Sequence, residues 1–74
     1  MKAYMLIKIM PGQDLEELKH ALKEPGIESI DLIMGNYDVI ATVRADDLAA
    51  LGKLATLVRN CPGIQDSVTC PVIS

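Results

Sequence analysis

Apolar residues occur along this chain in blocks that are closed by proline, glycine or acidic residues. The first block, AYMLIKIM at residues 3–10, is apolar except for Lys8 and ends at Pro11-Gly12. A run of this length and closure predicts a buried strand rather than a helix. Similar runs predict three further strands, over residues 27–34, 37–44 and 65–73.

Helical spacing appears between the first and second predicted strands. Asp14 is an N-cap residue, and Glu17 three positions later completes a D-x-x-E capping box. Pro25 predicts that this helix ends at about Glu24. Its apolar face consists of Leu15, Leu18 and Leu22.

A second helix is predicted between the third and fourth strands. Asp46 or Asp47 caps its start, Pro62-Gly63 ends it, and Gly52 lies away from its apolar side. Its wide apolar stripe consists of Leu48, Leu51, Leu54, Ala55 and Val58.

The predicted element order is β-α-β-β-α-β within a single domain of residues 1–74. The two halves repeat weakly, because each helix runs into Pro-Gly-Ile and then a strand, as in EPGIES and CPGIQD. This order is that of the ferredoxin-like α+β sandwich. Right-handed crossovers then place both helices on one face of a four-stranded antiparallel sheet.

Gly35 and Asn36 separate the second and third predicted strands. Glycine at the first central position of a two-residue loop predicts a hairpin with a type II′ turn.

Alternation along each strand divides its residues between the two faces of the sheet. The uniformly apolar sets are predicted to lie under the helices: Ala3, Met5, Ile7 and Ile9; Val39, Ala41 and Val43; Val68, Cys70 and Val72. The mixed sets are predicted on the other face: Tyr4, Leu6, Lys8 and Met10; Asp38, Ile40, Thr42 and Arg44; Ser67, Thr69, Pro71 and Ile73. Such a face is typical of a dimer interface with a polar site at its margin.

Composition supports association with another subunit. The chain has 74 residues, 50% of them hydrophobic, with neither Phe nor Trp, so its core must be aliphatic. A chain this short buries only roughly 60% of its unfolded surface, which makes a lone core marginal. The remaining apolar surface is therefore expected to be covered by another copy.

Charge and aromatic content argue against direct binding of nucleic acid. The net charge is −3, the basic residues are scattered, and the aromatic residues are Tyr4 and Tyr37. Phosphate neutralisation needs clustered Lys and Arg, and base stacking needs more aromatic rings than these.

The cysteines and the N-terminus indicate the compartment. Cys61 and Cys70 are placed too far apart for an easy disulfide, so free, half-buried thiols in a reducing compartment are expected. The first ten residues are interrupted by Lys8 and lack a cleavage site, so they predict neither a signal peptide nor a membrane span. We therefore expect a cytoplasmic protein.

Asp38 is the strongest candidate for a ligand-binding residue. A carboxylate beside free turn N–H groups and the hydroxyls of Ser67 and Thr69 could accept an ammonium while those donors hold a carboxylate. These are the two requirements of an α-amino acid. The competing interpretation is an ordinary capping or solvated Asp, with Gly35-Asn36 only a turn and Tyr37 only packing.

Catalytic and metal chemistry find no support in the residue pattern. His20, the single histidine, is predicted on the wet side of the first helix. It can form neither a metal cluster nor a nucleophile–base pair, so no cofactor is expected.

From Ala3 to Ile73 the chain resembles the effector-binding domain of the Lrp/AsnC transcription regulators, also known as the RAM domain. The matching segments are AYMLIK, Pro-Gly-Ile before the second strand, MGNYDVIATV, DLAAL, CPGI and SVT. Gly-x-Tyr-Asp followed by an alternating strand is the most specific of these.

The resemblance implies dimers that pair through their sheets and join into rings, often octamers or decamers. It also implies that small effectors, usually amino acids, bind between dimers. Gly35, Asn36, Tyr37 and Asp38 would form the effector-holding turn, with Ser67 and Thr69 from a neighbouring dimer. Family regulators carry an N-terminal helix-turn-helix domain, and this sequence starts at the first RAM strand. We therefore expect a stand-alone form that acts with full-length regulators or another partner.

Two other functions remain open from the sequence. Small monooxygenases and isomerases share the dimeric ferredoxin-like fold, but they usually hold a His, Trp or Asn constellation in an apolar cavity under the sheet, whereas the single His here is predicted on the wet side of a helix. An ACT-like allosteric module has a similar fold and ligand class, but it is normally fused to an enzyme.

Overall fold

The computed structural model describes residues 1–73 of the chain. Its elements are β1 (Lys2–Ile9), α1 (Leu15–Ala21), β2 (Ile27–Leu32), β3 (Val39–Arg44), α2 (Leu48–Arg59) and β4 (Ile64–Pro71). The four strands form one antiparallel sheet in the order β2-β3-β1-β4. The predicted βαββαβ order and ferredoxin-like class are confirmed.

Aspartates begin both helices because their carboxylates accept hydrogen bonds from the first free N–H groups. Asp14 Oδ1 accepts from the N–H groups of Glu16 and Glu17 at 2.9 and 3.4 Å. Asp47 rather than Asp46 caps α2, and its Oδ1 lies 2.8 Å from the Ala50 nitrogen. The capping box is only half formed, because within residues 1–73 no return bond from the Asp14 N–H to the Glu17 carboxylate is seen.

Helix α1 is shorter than predicted. It ends at Ala21 with Leu22 as its C-cap, whereas Pro25 only sets the latest possible end. Leu18 and Leu22 are buried, but Leu15 at the first turn is 37% exposed.

The two Pro-Gly-Ile segments occupy equivalent positions in the two halves. Gly26 and Gly63 have φ of +100° and +89°, which favours glycine. The Gly26 carbonyl accepts from the Arg44 N–H at the end of β3, and the Gly63 carbonyl accepts from the Met10 N–H after β1, at 2.7 and 2.9 Å. In each half, the Pro-Gly-Ile segment that follows the helix is therefore hydrogen-bonded to the end of a neighbouring strand.

One aliphatic core lies between the sheet and both helices. Residues of β1 and β3 face Leu51, Leu54 and Val58 of α2 and the buried leucines of α1 in a single cluster. Its strand members are Ala3, Met5, Ile7, Val39, Ala41, Val43 and Ile64. The predicted inward sets of β1 and β3 are confirmed, whereas Leu48, predicted in the α2 stripe, is 67% exposed.

The predicted faces of β4 are wrong. Ser67 pairs with Ile7 and Thr69 with Met5, and directly opposed residues in an antiparallel sheet share a face. Ser67 and Thr69 therefore lie on the helix-covered face, while Val68 and Cys70 lie on the open face. Cys70 is exposed, not half-buried as predicted.

A register shift explains how both Ile64 and Ser67 can face inward. Ile9 pairs with Ile64 but Lys8 pairs with Asp66, so Gln65 is an extra residue on β4. A bulge of this kind changes which face the following residues occupy relative to simple alternation.

Candidate functional site

The segment between β2 and β3 contains four of the six residues predicted to hold a ligand, Gly35, Asn36, Tyr37 and Asp38. Its strand register centres on Gly35 and Asn36, as predicted, since Leu32 pairs with Val39 and the Ile33 N–H donates to the Asp38 carbonyl at 2.9 Å. The regular strands nevertheless stop at Leu32 and resume at Val39, so residues 33–38 form a longer loop than the predicted two-residue turn.

Asp38 is fastened to β1 by its backbone and its side chain. Its N–H donates to the Ile7 carbonyl at 2.9 Å, and its Oδ2 accepts from the Ile9 N–H at 3.0 Å. The carboxylate thus takes the place of a strand carbonyl beyond the start of β3. Among residues 1–73, no donor reaches its other oxygen, Oδ1.

Lys8 holds the tip of the same loop. Its Nζ donates to the Asn36 carbonyl at 3.2 Å, and Tyr37 between the two anchored residues is half-buried. Gly35 has φ of +131°, whereas the first central residue of a type II′ turn has φ of about +60°. The type II′ prediction is therefore wrong. The loop is instead fastened to β1 by the side chains of Lys8 and Asp38.

The predicted partners Ser67 and Thr69 do not meet Asp38 within one chain. β1 separates β3 from β4, so the two sides of the predicted site are roughly 10 Å apart across the sheet. The hydroxyls also lie on the helix-covered face. The prediction that all three side chains share a face of one chain is wrong.

Ser67 and Thr69 instead border a groove between β4 and α2. Arg59, which the sequence reasoning missed, lies in the same groove and donates from Nη2 to the Ser67 carbonyl at 3.0 Å. Ser67 is 2% exposed, and its Oγ has no hydrogen-bond partner within residues 1–73. The sequence signal for Arg59 was a basic residue at the C-terminal end of an apolar helix. Such a residue is common for another reason, because it interacts favourably with the helix dipole.

The open face of the sheet carries a row of aliphatic side chains. Leu6 pairs with Ile40 on one side and with Val68 on the other, and Tyr4 lies beside them. Val68 and Tyr4 are 37% and 36% exposed. Contiguous apolar surface of this kind indicates an interaction site.

Other chemistry is not assembled in the part of the chain that the structure describes. No group of His, Cys, Asp and Glu side chains among these residues has metal-binding proximity. His20 is exposed on α1. No helix within residues 1–73 has the length and apolar character needed to cross a membrane.

Comparisons with known proteins agree with this fold. The family model described as Lrp/AsnC ligand binding domain matches residues 2–74. The HTH-type transcriptional regulator FL11 of Pyrococcus horikoshii is 26% identical over 73 residues, which cover 99% of this chain and 48% of the regulator. The chain thus spans about half the length of that curated relative.

Solved structures of similar fold include one that this chain covers almost completely and one that it covers by about half. Hypothetical protein PHS023 from Pyrococcus horikoshii has a TM-score of 0.82 and 27% identity, covering 99% of this chain and 90% of that one. Transcriptional regulator NMB0573 from Neisseria meningitidis, solved as an L-Met complex, has a TM-score of 0.86 and 21% identity, covering 99% of this chain and 49% of that one. The match of the family model over nearly every residue establishes that the chain belongs to the Lrp/AsnC ligand-binding domain family.

Proposed function

We propose that this chain is a non-enzymatic module that binds an amino acid and regulates transcription or amino-acid metabolism through its oligomer. Membership of a ligand-binding domain family supports effector binding, and the curated relative is a transcriptional regulator. The similar Neisseria meningitidis regulator was solved with L-Met, which supports an amino acid as the ligand class.

The arrangement of Asp38 carries the proposal. Its Oδ2 is held by the Ile9 N–H at 3.0 Å, while Oδ1 has no partner within residues 1–73. A half-buried carboxylate with one anchored and one open oxygen is suited to accept an ammonium group. The Gly35 and Asn36 N–H groups of the same loop are proposed to hold the α-carboxylate.

The oligomer is proposed to complete the site. In one chain, β1 separates Asp38 from the Ser67 and Thr69 hydroxyls of β4, so a ligand that contacts both needs two copies. The aliphatic row on the open face is proposed to form a homodimer, and dimers are proposed to join into an octamer or decamer. A role beside full-length Lrp/AsnC regulators, and location in the cytoplasm, stay predictions.

Calorimetric titration of the oligomer with the twenty amino acids at millimolar concentrations tests the ligand class. We predict that Asp38→Asn weakens binding of the best ligand by about 10- to 100-fold, because a hydrogen bond to a charged group contributes about 1.5–3 kcal/mol. Asparagine keeps an oxygen for the Ile9 N–H, so the loop anchor is retained.

Asp46→Asn is the matched control. Asp46 is exposed and lies away from the loop, so this substitution makes the same change in charge at a different place. Its affinity should equal that of the unmodified chain. Equal affinities for Asp38→Asn and Asp46→Asn would refute the assignment of Asp38.

A further inference from the structure

The groove between α2 and β4 has features of an anion site. Its volume is about 610 Å³. The residues that line it are Ala55, Thr56, Arg59, Ser67, Val68 and Thr69. Arg59 is the one charged residue among these six.

The Arg59 guanidinium is anchored at one end and open at the other. Side chains on a helix point towards its N-terminus, which places Arg59 over Ala55 and Thr56. A guanidinium has five N–H donors. Within residues 1–73 its one hydrogen bond is from Nη2 to the Ser67 carbonyl at 3.0 Å, and neither ion pair of the structure includes it.

A second, independent observation comes from the Ser67 hydroxyl. Ser67 is 2% exposed, yet its Oγ has no hydrogen-bond partner in the described part of the chain. Buried polar side chains nearly always have a partner, so this unpaired hydroxyl needs one. The Oγ is closed off from water in the free chain, so a ligand in the groove reaches it only after the Ser67 side chain rotates about χ1. Thr69, half-buried on the same face of β4, provides another hydroxyl.

We propose that this groove binds a carboxylate, with Arg59 as its charge partner, Thr69 as a hydroxyl donor and Ser67 as a second donor after rotation about χ1, so that the effector is an acidic amino acid. Arginine is suited to this role because its planar fork matches a carboxylate in two parallel hydrogen bonds. The inference rests on the proposed function, in which Asp38 takes the ammonium and the loop N–H groups take the α-carboxylate. The second carboxylate of glutamate or aspartate then occupies the groove.

Two pairs of probes separate charge from shape. L-glutamate and L-aspartate are titrated calorimetrically beside L-glutamine and L-asparagine, which have nearly the same shape without the side-chain charge. We expect the acids to bind at least about tenfold more tightly, as a charge-assisted hydrogen bond predicts.

Arg59→Gln should remove this preference by weakening L-glutamate while leaving L-glutamine unchanged. Glutamine can still donate to the Ser67 carbonyl, so the packing of α2 on β4 is retained. Lys53→Gln is the matched control, because it removes the same charge from an exposed position of α2. Ser67→Ala should weaken L-glutamate without lowering the melting temperature, because it removes an unpaired hydroxyl.

The outcomes distinguish the inference from the function on which it rests. Loss of binding in Asp38→Asn with no effect of Arg59→Gln overturns the groove as an anion site and leaves the proposed function standing. Loss in Arg59→Gln with no effect of Asp38→Asn supports the groove and refutes the ammonium site. Equal affinity for L-glutamate and L-glutamine, or no binding of either acid at millimolar concentration, overturns the inference.

Discussion

At the scale of single residues, Asp38 serves the loop and the proposed ligand with different oxygens. Oδ2 satisfies the Ile9 N–H of β1, which otherwise would have no partner, because Ile9 lies beyond the start of β3. Alanine at this position would leave that donor unpaired, at a cost of about 1–3 kcal/mol if the N–H stays buried. A loss of binding in Asp38→Ala would therefore mix loop damage with loss of charge, which is why asparagine is the sharper substitution.

Cys61 and Cys70 differ in their surroundings although both are free. The Cys61 Sγ lies near the carbonyls of Leu57 and Ala21, at 3.3 and 3.8 Å. Burial, and to a lesser degree the Glu24 carboxylate, raise the pKa of the Cys61 thiol. Because the thiolate is the reactive form, Cys61 is expected to be unreactive at neutral pH.

We predict that the alkylation rate of Cys61, measured with iodoacetamide in a Cys70→Ser background, has its pH midpoint above that of the same chain unfolded in urea. The sign follows from the raised pKa, since desolvation disfavours the charged thiolate in the folded state. Glu24→Gln should lower the midpoint only slightly, because burial is the larger cause. A folded midpoint at or below the unfolded one would contradict this account.

At the scale of elements, the two helices begin alike but differ in length. α1 runs for 7 residues and α2 for 12, and an isolated helix of either length is marginal in water. Their stability therefore comes from the apolar side packed on the sheet, with the N-cap fixing where each starts. Asp47 caps α2, while its neighbour Asp46 makes no capping contact within residues 1–73.

Removal of the α2 cap should lower stability measurably. We predict that Asp47→Ala reduces the free energy of unfolding by about 1 kcal/mol, because the Ala50 N–H loses its acceptor. Asp46→Ala removes the same charge one residue earlier and should have little effect. Urea denaturation at one fixed protein concentration measures both, and equal losses would show that charge rather than capping is responsible.

At the scale of the whole molecule, both faces of the sheet are apolar for different reasons. One is covered by the helices, and the other presents the row formed by Ile40, Leu6 and Val68. Apolar side chains are also exposed elsewhere, including Met34 at 100% and Ile73 at 97% exposure. So much uncovered apolar surface on a small domain supports the proposed association of copies.

A charge in the centre of the aliphatic row should dissociate the proposed dimer. We predict that Leu6→Asp lowers the mass measured by sedimentation equilibrium, because a carboxylate would be buried without a partner in the interface. Leu48→Asp is the control, since Leu48 is 67% exposed on α2 and away from the sheet. Far-UV circular dichroism verifies that both variants fold, and an unchanged mass for Leu6→Asp would place the interface elsewhere.

The sequence by itself determined the order of elements and the inward residues of β1 and β3. It also located the helix starts, at Asp14 for α1 and at Asp46 or Asp47 for α2. These features depend on local chemistry, namely N-capping, the Pro-Gly-Ile junctions and strict alternation beside a buried face. Only the tertiary structure decided the faces of β4, because both faces carry apolar residues there and the extra Gln65 shifts the alternation. It also decided that Lys8 and Ile9, distant in sequence, shape the loop of residues 33–38, and that Arg59 lies against Ser67. MGNYD marks a hairpin in the sequence, but the direction of its carboxylate depends on a strand contact that no local pattern encodes.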